Sequence, residues 1–406
     1  MKFKLLIIVI LFNLSSYSQN EITIGKRITV HSEILKEDRI LEIHLPKDYE
    51  ESDKSYPVLY LLDSYYNFSH AVGSVEYLRL NRLIPDMIVV GIRNTNRNRD
   101  LSPDSPELSL EEKERMGTPG EAHNFLAFLQ KELIPHVEKT YKAAPYRVIV
   151  GHSRGGLFNV YTFFKQPKLF DAYLTISPSL WYPNELISRK FEDVFNNPSE
   201  LSATFYMTLA NENQGNMRGN VLKLSGEFNN YINANKEADL RFKYEPMPEE
   251  THGTIGLPSI YYGLRFIFEP TQYKIPRSRE EIMAQGGPDA AIEKAVTYFE
   301  ELSQKYGFNV TNEYALVDLG YAFMGLEELK EYSINAFNTN VQSRPDSYNA
   351  YSNLGMAYEE LGELQKAKNN YEKALKLVME TEDEEWEFFK ADLDNLEKKI
   401  KAKADN

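Results

Sequence analysis

The chain has 406 residues, 42% of them hydrophobic and 26% charged, with 60 acidic against 46 basic side chains and a net charge of −14. That length holds two or three domains and a sizeable core, and the acidic balance argues against nucleic-acid binding and against simple electrostatic attachment to anionic membranes. No cysteine is present, which excludes disulfides, thiol catalysis and a cysteine-linked lipid anchor.

Lys2 and Lys4 precede an apolar run from Leu5 to Phe12, and small or polar residues follow. This is the pattern of a secretory signal peptide over residues 1–18, cut near Ser18-Gln19, and the run is far shorter than the roughly 20 residues a spanning helix needs. The expectation is a periplasmic or secreted protein with no transmembrane segment in its mature chain. Residues 20–46 read as two strands joined by a polar turn. Tyr56–Leu62 and Met87–Ile92 are short apolar runs of the kind that form buried strands. Residues 120–141 carry apolar positions at helical spacing. Further strands are predicted at Tyr146–Val150, Ala172–Ile176, Thr204–Leu209 and Arg241–Met247. Helices are predicted at 156–166, 217–235 and 256–268. Strands alternating with helices predict a doubly wound α/β sheet over residues 20–270.

The composition changes near residue 270. Residues 271–288 are polar and contain Pro and Gly, and read as a linker. From 289 to 406 the pattern is helical. Leu354, Gly355, Tyr358, Gly362, Ala367, Tyr371 and Ala374 match a tetratricopeptide repeat over 346–377. A degraded earlier copy lies 35 residues upstream, with Leu319-Gly320 and Phe323 as its matching positions. Residues 380–402 read as a charged capping helix. Such repeats imply a protein partner.

Gly151-His152-Ser153-Arg154-Gly155 is a G-x-S-x-G motif between a predicted strand and a predicted helix, the setting of a nucleophile elbow. A serine hydroxyl is a weak nucleophile and needs a base with an orienting carboxylate. In α/β-hydrolases the chain order is serine, acid, histidine. Apart from the adjacent His152, His252 is the only histidine after Ser153, and it follows the last predicted strand. Glu212, after the next-to-last strand, is the candidate acid, with Glu249 and Glu250 as local rivals and Asp239 less suitable. The oxyanion hole calls for two backbone N–H groups: that of Arg154, and one from the loop after Leu62, assigned to Tyr65. Arg97, Arg99 and Trp181 are candidates for substrate contacts, although an Arg–Asp-pinned loop and a core tryptophan are equally open readings. The chemistry calls for no metal and no organic cofactor.

Residues 20–270 resemble the putative esterase family of α/β-hydrolases, which includes enterochelin (ferric siderophore) esterases. The segments that carry the resemblance are Tyr56–Asp63, Val89–Thr95 with Arg97, Arg99 and Asp100, Ala144–Arg147, Gly151–Leu157, Phe170–Tyr173, Ile176–Trp181, and His252-Gly253 with Leu257–Ser259. The resemblance implies Ser153 as nucleophile, His252 as base and an acid at Glu212. It departs from the family where Ser64 replaces the usual glycine and where Asn213 replaces a frequent second acid. Some family members work with a Ser-His pair alone. The expected activity is ester hydrolysis on a siderophore-like or acylated-carbohydrate substrate. Two alternatives remain: a catalytically idle scaffold whose repeats bind a partner, and a peptidase or acyltransferase built on the same elbow.

Overall fold

Among the described residues, one eight-stranded sheet organises the chain. The strands are β1 (Lys26–Ser32), β2 (Glu37–His44), β3 (Tyr56–Leu61), β4 (Ile88–Ile92), β5 (Ala143–His152), β6 (Ala172–Ile176), β7 (Ala203–Ala210) and β8 (Leu240–Met247), in the spatial order β1-β2-β4-β3-β5-β6-β7-β8. β1, β2 and β4 pair antiparallel. From β4 to β8 all neighbours are parallel. This computed structural model describes residues 22–404 except 48, 118–119, 183, 197–200, 213–215 and 382–384. The expected signal peptide and Asn213 lie outside the described residues.

The central strands read as unbroken apolar runs because both faces of the sheet are covered. Along β3, Val58 and Tyr60 point into one core, while Leu59 and Leu61 point into the other. The first core is roofed by the helices Ala122–Phe128, Arg154–Lys165 and Met217–Ala234; the second by Ser64–Leu80 and Gly256–Ile267. The helix expected over 120–141 contains a π segment, Leu129–Leu133, ahead of Pro135. Proline has no N–H to donate to the preceding turn and its ring crowds the carbonyl four residues back, so a widened turn relieves the clash.

The helical C-terminal region is built from Pro288–Tyr306, Glu313–Met324, Ser333–Ser343, Tyr348–Glu360, Leu364–Met379 and Trp386–Ala404. Gly320 and Gly355 each lie beneath an aromatic ring of the following helix, Phe337 and Tyr371, so the two repeat copies pack alike. The expected linker at 271–288 is not a free tether. It contains the helix Arg279–Ala284 and buries Ile275 and Ile282. The second core runs on without a break into Ala291, Phe299, Leu316 and Phe323. At this seam Tyr146, which lies in β5, meets Tyr306 at 4.6 Å, and Lys305 pairs with Asp239 at 2.7 Å. The first helices after the sheet are thus part of its core. Among the described residues no helix is long and apolar enough to cross a membrane.

Candidate active site

Parallel strands deliver their following loops to one edge, and in open α/β sheets that carboxyl edge is where ligands bind. Asp63 follows β3, Arg97 follows β4, Ser153 follows β5, Ser179 follows β6, Glu212 follows β7 and His252 follows β8. Six loops distant in sequence therefore share one rim.

Ser153 stands between β5 and the helix Arg154–Lys165 at φ 60°, ψ −112°. A non-glycine residue held there is strained and persists only where its surroundings fix it. Its N–H donates to the Ile176 carbonyl at 2.8 Å, and its carbonyl accepts from Leu157 and Ser179, each at 3.0 Å. The turn also depends on close backbone approach. A Cβ on Gly151 would lie 2.3 Å from the Gly155 carbonyl oxygen, and one on Gly156 would lie 2.9 Å from Pro178. Gly155 itself has room, with its nearest prospective contact at 3.4 Å.

The Ser153 hydroxyl lies 3.2 Å from the Ser179 hydroxyl, which is itself buried. Ser179 was not singled out from the sequence. Its signal is positional: Ser177-Pro178-Ser179 directly follows the strand beside the elbow strand.

His252 and Glu212 come together. Glu212 Oε2 lies 2.6 Å from His252 Nδ1; the acid's side chain is 13% exposed and the imidazole 43% exposed. Neither His252 Nδ1 nor the other carboxylate oxygen, Glu212 Oε1, completes a hydrogen bond among the described residues. Glu212 is the carboxylate paired with His252 among the described residues, and Glu250 contributes its backbone instead, accepting from the Asn211 N–H at 2.9 Å. Asp239 lies at the far end of β8, paired with Lys305. His152, next to the serine in the chain, packs its ring on that of His252 with centroids 4.5 Å apart. Burial pushes its pKa down to about 4, helped by the neighbouring His252 and opposed by Asp63.

The two backbone donors expected for an oxyanion both lie at helix starts. Arg154 is the first residue of its helix and Tyr65 the second of Ser64–Leu80, so neither N–H has an intrahelical acceptor. The serine at position 64 is accommodated without crowding the rim. Its hydroxyl donates to Glu42 at 2.8 Å, and its Cβ occupies space that only a glycine at position 91 leaves free. The Arg154 side chain donates to Ser102 Oγ at 2.8 Å and stacks 3.9 Å from the Tyr182 ring centre.

Each candidate substrate contact has partners within the protein. Arg97 forms a two-pronged pair with Asp63, at 2.7 and 2.9 Å. Arg99 binds Glu37 and Asp100, each at 2.7 Å, and the fully buried Arg39 binds the same two acids. Burial raises the Glu37 pKa, but hydrogen bonds from Arg99, Thr95 and Arg39 outweigh it and hold the carboxyl at about 2. Both arginines are committed to carboxylates, which is the pinned-loop reading. Trp181 packs against the first core, edge-on to Tyr182 at 5.8 Å, with its indole nitrogen buried. Among the described residues, no group of three or more His, Asp or Glu side chains converges as a metal site requires.

Sheet order, elbow and rim together define an α/β-hydrolase, followed by a helical region. The chain belongs to the family described as Putative esterase, whose model matches residues 32–246, and a Tetratricopeptide repeat model matches residues 348–380. It is similar to the ferri-bacillibactin esterase BesA of Bacillus subtilis, 26% identical over 208 residues covering 47% of this chain and 66% of that protein. It is also similar to the siderophore enterobactin esterase of Emericella nidulans, 30% identical over 154 residues covering 34% of this chain and 51% of the other. The matched part thus spans less than two thirds of each of these relatives. Among solved structures, an IroE-like serine hydrolase from Shewanella oneidensis superposes with a TM-score of 0.63 at 26% identity, covering 78% of this chain and 99% of that one. An uncharacterised protein from Capnocytophaga ochracea, at 17% identity and a TM-score of 0.59, covers 92% of this chain and 99% of its own and shares the fold.

Proposed function

We propose that the protein is an exported serine carboxylic ester hydrolase. Ser153 attacks the ester carbonyl, passing its proton to Nε2 of His252 as the hydroxyl leaves Ser179 on substrate entry. His252 then protonates the departing alcohol, and water resolves the acyl-enzyme by the same route. Glu212 faces Nδ1, holding the ring and stabilising the imidazolium. The N–H groups of Arg154 and Tyr65 receive the oxyanion. One observation carries this reading: a serine held at positive φ on a strand-to-helix turn, with a His–Glu pair brought to the same rim from the ends of the last two strands. Apo enzymes commonly hold such groups slightly apart until substrate binds.

Export rests on the basic, apolar and small-residue order of the first 18 residues. The names of the two curated relatives make a siderophore ester the first substrate class to try, ahead of acylated carbohydrates. The test is hydrolysis of p-nitrophenyl acetate and butyrate by the mature chain beside Ser153→Ala and His252→Ala. Each variant is expected to lose roughly a thousandfold or more in kcat. Turnover that survives in Ser153→Ala refutes the mechanism; no turnover on any ester, siderophore esters included, favours the scaffold reading.

A further inference from the structure

The proposed oxyanion hole takes its two N–H groups from different chain segments, one after β3 and one after β5. Between these strands the ladder ends at the Leu62 N–H to Val150 carbonyl bond, 3.0 Å. Beyond it, among the described residues, no backbone hydrogen bond joins residues 63–65 to residues 152–154. Hydrogen-bond donors for an oxyanion must nonetheless be held to within about 0.5 Å of the productive geometry.

Arg97 spans that gap. Its Nε and one terminal nitrogen grip the two carboxylate oxygens of Asp63, and the same terminal nitrogen donates to the His152 carbonyl at 3.2 Å. Asp63 sits at φ 55°, immediately before the helix whose first residues supply one N–H. His152 immediately precedes Ser153. Asn94 adds a further hydrogen bond to Asp63. The arginine is itself firmly based: it opens the short helix Arg97–Leu101, whose Arg99 and Asp100 are locked to Glu37 and the buried Arg39. Asp63 is 5% exposed while the Arg97 side chain is 35% exposed, so the carboxylate half of the pair is shielded, and its two-pronged geometry holds it better than a single-contact surface ion pair.

We infer that Arg97 is a positioning residue that sets the separation of the two oxyanion donors, through Asp63 on one side and the His152 carbonyl on the other. This inference rests on the serine-hydrolase reading. It differs from a substrate contact in a measurable way. A bracket that aligns donors acts on the transition state, so its loss lowers kcat and leaves KM nearly unchanged, whereas loss of a substrate contact raises KM. Lysine keeps the charge but lacks the planar fork, so it cannot hold Asp63 and His152 together.

The experiment measures kcat and KM on p-nitrophenyl butyrate for the full chain, Arg97→Lys and Arg97→Ala. It adds binding of an alkylboronic acid, which forms a tetrahedral adduct on the nucleophile. Thermal unfolding serves as the folding control. Expected are a fall in kcat of about tenfold to a hundredfold in both variants, KM within about threefold, and boronate affinity falling in step with kcat. Guanidinium ion at sub-denaturing concentration is expected to restore part of kcat in Arg97→Ala and none in Arg97→Lys, a rescue that a general loss of structure would not show. If Arg97→Ala does not fold, Arg97→Lys carries the kinetic and boronate test. Wild-type kcat in the folded variants, or a loss confined to KM, overturns the inference while leaving the hydrolase reading intact. Absence of Ser153-dependent turnover in the unsubstituted chain overturns both.

Discussion

The two outer glycines of G-x-S-x-G are interchangeable in the motif but not in the fold, and that difference can be tested. In Gly151→Ala the new Cβ would lie 2.3 Å from the Gly155 carbonyl oxygen and 2.4 Å from its carbon. Ordinary contact begins near 3.4 Å, so the two backbones must separate by about 1 Å, and neither atom belongs to a flexible side chain. Overpacking of this kind costs about 1–3 kcal/mol. Because the displaced segment carries Ser153, a shift of that size is also expected to cost on the order of a hundredfold in turnover. In Gly155→Ala the nearest contacts are 3.4 Å to Asp63 Oδ2 and 3.6 Å to Leu62. The position lies in the first turn of a helix, where alanine is favoured over glycine by about 0.5–1 kcal/mol. Gly155→Ala is therefore expected to be as stable as the parent or slightly more so. The assay is urea unfolding of both variants beside kcat/KM on p-nitrophenyl butyrate. Equal damage in the two variants, or an undamaged Gly151→Ala, would refute the reasoning.

Other expectations follow from the same geometry. Glu212→Gln should lower kcat by about tenfold to a hundredfold, less than loss of the base because the carboxylate lies beside Nδ1 without a completed hydrogen bond, whereas Glu249→Gln and Glu250→Gln should stay near wild type; steady-state kinetics on the three variants decides which acid serves His252. The His152 pKa is lowered in the fold to about 4, so as pH falls the unfolded chain takes up its proton first. This contribution to stability is intact above about pH 6.5 and is lost down to about pH 4, amounting to about 2 kcal/mol by pH 5. Urea unfolding at pH 7 and pH 5 should show that loss shrinking in His152→Gln, and an unchanged difference would refute it. Removing residues 279–406 should strip the second core of Ile282, Ala291, Phe299 and Leu316, giving a chain that binds hydrophobic dye and aggregates. Removing only residues 344–406 should leave turnover largely intact. A soluble, active chain ending at residue 278 would restore the picture of an independent domain on a linker.

Much of this protein is legible in local sequence. The apolar run of β5, the tight glycine-flanked turn and the amphipathic helix after it are set by neighbouring residues, so they declare the elbow at Ser153. Chain order alone limits the proposed base to His252. The tetratricopeptide copies show because each needs small and large side chains at fixed spacing to close a helix pair. The helix Ser64–Leu80 is less visible. Its buried Phe68, Ala71, Val72, Val75 and Leu78 follow helical spacing, but the exposed Tyr65, Tyr66, Tyr77 and Leu80 erase the contrast between its faces.

Only the tertiary structure decides the contacts that span strands. Glu212, Glu249 and Glu250 are equivalent carboxylates in sequence, and the pairing of β7 with β8 brings the first to His252 while turning the backbone of the third to another task. Arg97 reads equally as a substrate ligand or a pin. Its partners stand 34 and 55 residues away, and strand order, with β4 beside β3 and β3 beside β5, brings them within its reach. The polar segment 271–288 reads as a linker because its apolar residues are few and scattered, yet Ile275 and Ile282 are buried because the seam they fill is made by residues far from them. Periodicity and turn chemistry act over a few residues and can be read along the chain, whereas the partners of a long charged side chain or a lone isoleucine depend on which elements the topology makes neighbours.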